Sequence, residues 1–379
     1  MKIGFDGKRA FHNTTGLGNY SRTLIRGLAT WYPEHEYYLF NPKPSRKFSR
    51  PVFPQVHEVL PAGLINKTFS SAWRSSWVKK DLEQLGIQLY HGLSHEIPHG
   101  IQHTAIRSVV TIHDLIFERY PEQFGKINVL IYRHKFQYAC RNANHIIAIS
   151  QQTKQDIIDW YGISEEKIDV CYQSCDPVFA EVIAESDKQR TRKRYNLPQQ
   201  FFLYVGSIIE RKNLLGICQA LHINGNSSLP LVIIGDGRAY KQKVKEYIHE
   251  KGLSSQVIFL SETQPIGKDT RELATIYQLS TALVYPSCFE GFGIPVLEAM
   301  WSGVPVITSS VSCLPETGGE AALYVDPSNP ESIAGAMKRI QDNEDLRREM
   351  IILGHRQAEN FTLEKCTDEI MRVYKKLMK

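Results

Sequence analysis

The chain has 379 residues, 42% of them hydrophobic and 22% charged, with a formal net charge of +5. That length exceeds the roughly 250–300 residues at which a single core stops growing, so two domains are expected in an ordinary soluble, globular protein. Seven cysteines, an odd number without paired Cys-x-x-Cys spacing, exclude a disulfide framework and a zinc site and fit a reducing cytoplasm, while so modest an excess charge with no recognised binding module argues against a nucleic-acid partner.

In chain order, strand-like apolar runs at 2–6, 37–40, 89–92, 108–112 and 145–149 alternate with helical stretches at 19–30 and 126–141. The pattern restarts with strands at 201–205, 231–234, 257–260, 282–285, 306–308 and 322–325. Alternation of this kind predicts an α/β protein with two Rossmann-like parallel sheets, whose ligands lie outside the carboxyl ends of the strands in a cleft between facing domains. The expected division is one Rossmann-like domain over 1–180, a second over 181–360, and a last helix over 361–379. Between the sheets, 172–179 has turn character and the basic run 185–195 reads as a solvated helix. No run approaches the 18 apolar residues of a membrane span, and the first strand begins directly after Met1 without a signal-like apolar region.

The charge is uneven. All of the excess lies in residues 1–180, and 43–80 holds eight basic residues against Glu58 as its one acid. Ile65, Phe69, Trp73 and Trp77 recur there every four residues, so a helix would carry an aromatic stripe ringed by Lys67, Arg74, Lys79 and Lys80. Core packing is the first reading, and a peripheral contact with an anionic membrane face or a lipid-linked acceptor is the second.

Several motifs could carry chemistry. Gly16-Leu-Gly-Asn-Tyr20 falls between the first strand and first helix, where glycines let the backbone approach a phosphate or sugar, but the third glycine of a dinucleotide fingerprint is missing. Thr111-Ile-His113-Asp114 ends a strand, placing His113 where it could meet a substrate hydroxyl. After the first strand of the second half, Arg211 offers a planar fork and Lys212 a point charge, a pair suited to a departing diphosphate. Glu290-Gly-Phe-Gly-Ile-Pro-Val-Leu-Glu298 sets two carboxylates around a glycine turn that opens a helix. The amides of Gly291, Phe292 and Gly293, with the positive helix end, suit an anion, and the glutamates suit the hydroxyls beside it. A sugar nucleotide has that composition. The chain lacks an Asp-x-Asp, and the Arg/Lys pair could take over the electrostatic role of a metal.

Together these residues resemble the retaining family-4 glycosyltransferases of GT-B fold, and within them the bacterial mannosyltransferases of O-antigen and capsule assembly. The likeness runs through Gly16–Tyr20, the His113-Asp114 block with Tyr120-Pro-Glu122, Tyr204-Val-Gly-Ser207 with Arg211-Lys-Asn213, the Glu290–Glu298 block, Gly303-Val-Pro-Val-Ile307 and Leu314-Pro-Glu316. It implies Arg211 and Lys212 on the diphosphate, Glu298 on the ribose, and Glu290 on the donor sugar's hydroxyls. It further implies Gly291, Phe292 and Gly293 beside the sugar and phosphate, His113 near the reacting centre, and Gly18 bordering the diphosphate. The implied donor is GDP-linked or UDP-linked, GDP-mannose first, with no metal. The implied acceptor is a growing glycan or lipid-linked saccharide, and the nucleobase is expected against a loop at 260–263. Other readings are a sugar-nucleotide epimerase and a non-catalytic scaffold binding nucleotide or glycan. Two departures from the pattern, Gln173-Ser-Cys-Asp176 in the linker and Trp301, are expected to lie clear of the chemistry.

Overall fold

The computed structural model describes residues 1–263 and 270–379 and divides into two compact units, Met1–Ser174 with Phe361–Lys379, and Cys175–Asn360. The first unit is built on a seven-stranded parallel sheet: β1 (Lys2–Asp6), β2 (Glu36–Phe40), β3 (Val56–Val59), β4 (Leu89–Gly92), β5 (Arg107–Ile112), β6 (His145–Ala148) and β7 (Ile168–Val170), in the order β3-β2-β1-β4-β5-β6-β7. The second has six parallel strands: β8 (Phe202–Val205), β9 (Leu231–Ile234), β10 (Val257–Phe259), β11 (Ala282–Tyr285), β12 (Val306–Ser309) and β13 (Ala322–Val325), in the order β10-β9-β8-β11-β12-β13.

Both orders reverse direction beside the unit's first strand, between β1 and β4 and between β8 and β11. Chain leaving the carboxyl ends of two such neighbours departs to opposite faces and opens a crevice. This topology decides where each motif lands. The loop after β8 carries Arg211 and Lys212, the loop after β11 carries Glu290, and the two strands are hydrogen-bonded neighbours. In the first unit, His113 follows β5, which pairs with β4.

The sheet of the first unit is covered on both faces, so its central strands read as near-continuous apolar runs. One face buries Phe40, Trp73, Leu82, Tyr90, Val110 and Phe117, and the other buries Phe5, Leu24, Leu28, Leu39, Met371 and Tyr374. The last two belong to the helix Leu363–Leu377, which lies against the helix Gly16–Trp31 so closely that a Cβ on Gly27 would stand 2.3 Å from the Thr367 hydroxyl. Each large apolar side chain it buries contributes about 1.5–3 kcal/mol.

Five local differences from the sequence reading have physical reasons. β3 and β7 are short edge strands, half-buried, whose Val-His-Glu-Val and Ile-Asp-Val sequences carry little periodic signal. Gly16-Leu-Gly-Asn-Tyr20 is no loop: it forms the opening turn of the helix Gly16–Trp31, after a short helix Lys8–His12. Residues Leu260–Thr263 form one helical turn where a loop was expected. The aromatic stripe is broken, because the backbone leaves helix geometry at Phe69 and widens to a π turn over Trp73–Trp77. Trp73 therefore packs inward under Phe40 while its three partners in the repeat face solvent.

Candidate functional site

β11 ends at Tyr285, and the loop from Pro286 to Gly293 is tied down at several points. The Glu290 amide donates to Ser312 Oγ at 3.1 Å, the Cys313 thiol donates to the Glu290 carbonyl at 3.1 Å, and the Thr317 hydroxyl donates to the Phe292 carbonyl at 2.5 Å. Gly293 then takes φ 98°, a left-handed conformation that a side chain would strain, and caps the helix Ile294–Trp301 with Pro295 in its first turn. Among the described residues the amides of Gly291 and Gly293 donate to no protein acceptor. They sit at the positive end of that helix, where an anion is favoured.

Glu290 is buried, and three donors converge on its Oε1: Arg211 Nη1 at 3.0 Å, Lys212 Nζ at 3.0 Å and the Tyr285 hydroxyl at 2.8 Å. Lys212 also donates to the Tyr285 hydroxyl, and Arg211 to the Phe289 carbonyl. Burial alone would raise the Glu290 pKa, but Lys212, then Arg211 and Tyr285, outweigh it and hold the carboxyl down at about 2. Lys212 is shifted down, chiefly by burial and secondarily by Arg211, against the pull of Glu290. Two cations thus share one carboxylate oxygen, an arrangement that suits an incoming anion.

Asn213 holds this arrangement together. It occupies the left-handed region at φ 55°, caps the helix Leu214–Asn224 through Gly216, and donates to the carbonyls of Pro327 at 2.7 Å and Pro286 at 3.3 Å. The cationic loop is thereby pinned to the start of the glutamate loop.

Glu298, one turn into its helix, has the opposite environment. The Tyr277 hydroxyl donates to it at 2.8 Å, yet burial and the neighbouring charge of Asp176 prevail over Tyr277 and Lys212 and raise its pKa to about 7. Tyr277, Tyr285 and Asn213 are site residues that the sequence reading left without a role.

In the first unit, His113 is buried with both ring nitrogens engaged. Nε2 lies 2.9 Å from the Leu93 carbonyl, which can only accept, so Nε2 carries the proton and Nδ1 accepts from the Gln173 amide at 2.9 Å. Burial, aided by Arg9 and opposed by the Leu93 contact, lowers its pKa to about 4. Around it His91 bridges Thr111 at 2.7 Å and Tyr374 at 2.5 Å, and His95 stacks on Phe136 with ring centroids 4.2 Å apart. Gly18 faces inward within its helix: a Cβ there would stand 2.0 Å from the Asn13 carbonyl, so close backbone packing explains the glycine. The linker departure also touches candidate residues, contrary to expectation: Gln173 bonds His113, and Asp176 acts on Glu298.

Residues 14–178 match the family described as glycosyltransferase family 4, and residues 185–356 match glycosyl transferases group 1. The chain is 28% identical to the O-antigen chain mannosyltransferase B of Escherichia coli over 400 residues, covering 100% of both proteins. It is 30% identical to the O-antigen chain mannosyltransferase RfbU of Salmonella typhimurium over 236 residues, 62% of this chain and 61% of that one. Among solved structures, the sucrose-phosphate synthase of Thermosynechococcus elongatus superposes with a TM-score of 0.78 at 20% identity, covering 100% of this chain and 99% of the other.

Proposed function

The chain belongs to the family-4 glycosyltransferases of GT-B fold, and from that premise we propose that it transfers a hexose, mannose from GDP-mannose first, to a growing glycan or lipid-linked saccharide of a bacterial surface polysaccharide. The observation that carries the reading is the buried, positively charged Arg211–Lys212–Glu290 cluster beside the open amides of Gly291 and Gly293. In the proposed complex Arg211 and Lys212 neutralise the diphosphate, with Gly291, Phe292 and Gly293 against the phosphate and sugar. Glu290 uses Oε2, the oxygen opposite its cation contacts, to accept from a donor-sugar hydroxyl. Glu298 accepts from the ribose. The names of the relatives support mannose as the sugar and O-antigen as the product class.

A nucleoside diphosphate leaves readily once its charge is met, so no carboxylic acid need protonate it. The proposed step forms the acceptor O–C bond on the face from which the C–O bond to the diphosphate breaks, with the acceptor proton passing to the departing phosphate oxygen and the anomeric configuration retained. Because two side-chain cations already stand at the diphosphate, the reaction is proposed to need no metal. His113, being neutral with both nitrogens held, would act as a fixed dipole near the sugar, and Gly18 as close-packed backbone. Seven cysteines that form no disulfide, six of them buried, support a cytoplasmic setting.

The test is a donor panel of GDP-mannose, UDP-glucose, UDP-galactose and UDP-GlcNAc against saccharide acceptors, with and without EDTA. The expected outcome is transfer from GDP-mannose, unaffected by EDTA and lost in Glu290→Ala. Transfer from a UDP-sugar would replace the donor, and nucleotide binding without turnover on every acceptor would make the protein a scaffold.

A further inference from the structure

The face that the broken aromatic stripe leaves uncovered has a composition of its own. Leu64, Ile65, Phe69 and Trp77 are 83%, 68%, 58% and 41% exposed, whereas Trp73, in the same segment, is fully buried. Isolated exposed apolar residues are common, but four large ones along one short helical stretch form a patch, and patches of that kind mark an interaction surface. The π turn produces it: by re-aiming Trp73 into the core and Trp77 outward, it spends one tryptophan on folding and leaves the other at the surface.

The charges identify the partner's chemistry. Lys67, Lys79 and Lys80 accompany the apolar residues, and Lys43, Arg46 and Lys47 precede them in the same segment. Among the described residues none of these six has a carboxylate partner. Arg74, by contrast, turns inward and is held by Asp6 at 2.7 Å and Glu96 at 3.0 Å. A second copy of this chain would set cations against cations across a two-fold contact, which disfavours self-association. A nucleic acid would meet the cations but leave the leucine and isoleucine without a counterpart.

We propose that the 64–80 face of the first unit docks on an anionic lipid bilayer, with Phe69 and Trp77 seated at the headgroup boundary, Leu64 and Ile65 below it, and the lysines against lipid phosphates. Attachment is peripheral, since no helix among the described residues is long and apolar enough to cross a membrane. The proposal rests on the first unit alone and stands whichever sugar nucleotide is used.

Flotation with vesicles of phosphatidylcholine containing 30% phosphatidylglycerol tests it. The full chain is expected to float with these vesicles, to dissociate as sodium chloride is raised, and to ignore vesicles of pure phosphatidylcholine. Ile65→Asp/Phe69→Asp and Lys67→Glu/Lys80→Glu should each lower binding about tenfold or more, at about 1 kcal/mol per basic residue. Neither pair should change transfer to a short water-soluble acceptor, because none of these residues belongs to the donor site. The lysine pair sits on exposed positions and keeps the test valid should the aspartate pair fold poorly, as read by thermal melting. Failure of the wild-type chain to float, or equal flotation of the lysine variant, would overturn the proposal. So would a dimer that Ile65→Asp/Phe69→Asp dissociates in the absence of any vesicle binding.

Discussion

The two units bury their candidate functional side chains in opposite ways. In the second, Arg211, Lys212 and Glu290 stay charged under the surface because each has a partner of opposite sign. In the first, His91 and His113 sit among hydroxyls, backbone and the Gln173 amide, with no carboxylate bonded to either among the described residues, and burial holds both neutral, with pKa values of about 3 and 4. A buried charge cluster with a cationic excess is prepared for an anion, while a buried neutral network offers only hydrogen bonds to uncharged groups. This contrast is why the diphosphate is proposed to sit in the second unit.

The sharpest way to break that contrast is Glu290→Ala, which leaves two cations buried without their carboxylate. A loss of about 3–5 kcal/mol is expected. Thermal melting reads it, and added pyrophosphate should restore part of the melting temperature. Because the folded-state pKa is depressed from 4.5 to about 2, the Glu290 contribution is complete above pH 4.5 and disappears as pH falls through 2. Next in size, Arg211→Ala should lower kcat/KM roughly 10²–10³-fold, about 2.7–4 kcal/mol of transition-state stabilisation, with Arg211→Lys recovering part of it. Steady-state kinetics with the donor varied decide this.

A smaller effect separates the neutral site from the charged one. His113→Ala strands the Leu93 carbonyl and the Gln173 amide, at a cost of about 1–3 kcal/mol in denaturant unfolding. His113 is depressed from 6.5 to about 4, so its contribution is present above pH 6.5 and lost as pH falls through 4, and it should leave no inflection in the rate between pH 6 and 8. Smallest is Tyr277→Phe. Glu298 is raised from 4.5 to about 7, so its protonated form adds stability that is complete below pH 4.5 and lost as pH rises through 7. Donor binding that needs the carboxylate should tighten over the same rise. Removing the Tyr277 hydroxyl, which favours the ionised form, should move the midpoint in donor KM upward by about one unit or less.

What the sequence disclosed was whatever depends on near neighbours. The Glu290–Glu298 spacing, the glycine turn between them and the alternation of strands and helices are all local, and 11 of the 13 strands among the described residues are visible as apolar runs. Partners brought together by topology were not. Tyr277 reaches Glu298 across 21 residues, and Gln173 reaches His113 across 60, because strand order and not chain order makes them neighbours. Gln173 stands out as a departure from pattern, yet nothing local links it to a histidine in the loop after β5. The aromatic stripe misled for a related reason: a period of four presumes continuous helix, and the irregular backbone at Phe69 and over 73–77 divides one apparent face into an inner and an outer part.

The return of the chain at Phe361 has a consequence for biosynthesis. The helix Leu363–Leu377 covers one side of the first sheet, but it emerges from the ribosome roughly 190 residues after Ser174, a delay of about 10–40 s at 5–20 residues per second. Throughout that interval the flank of the helix Gly16–Trp31 that later receives Thr367 and Tyr374 is bare. The amino-terminal unit is thus translated first and finished last, and nascent chains stalled before residue 361 should be the species that chaperones hold.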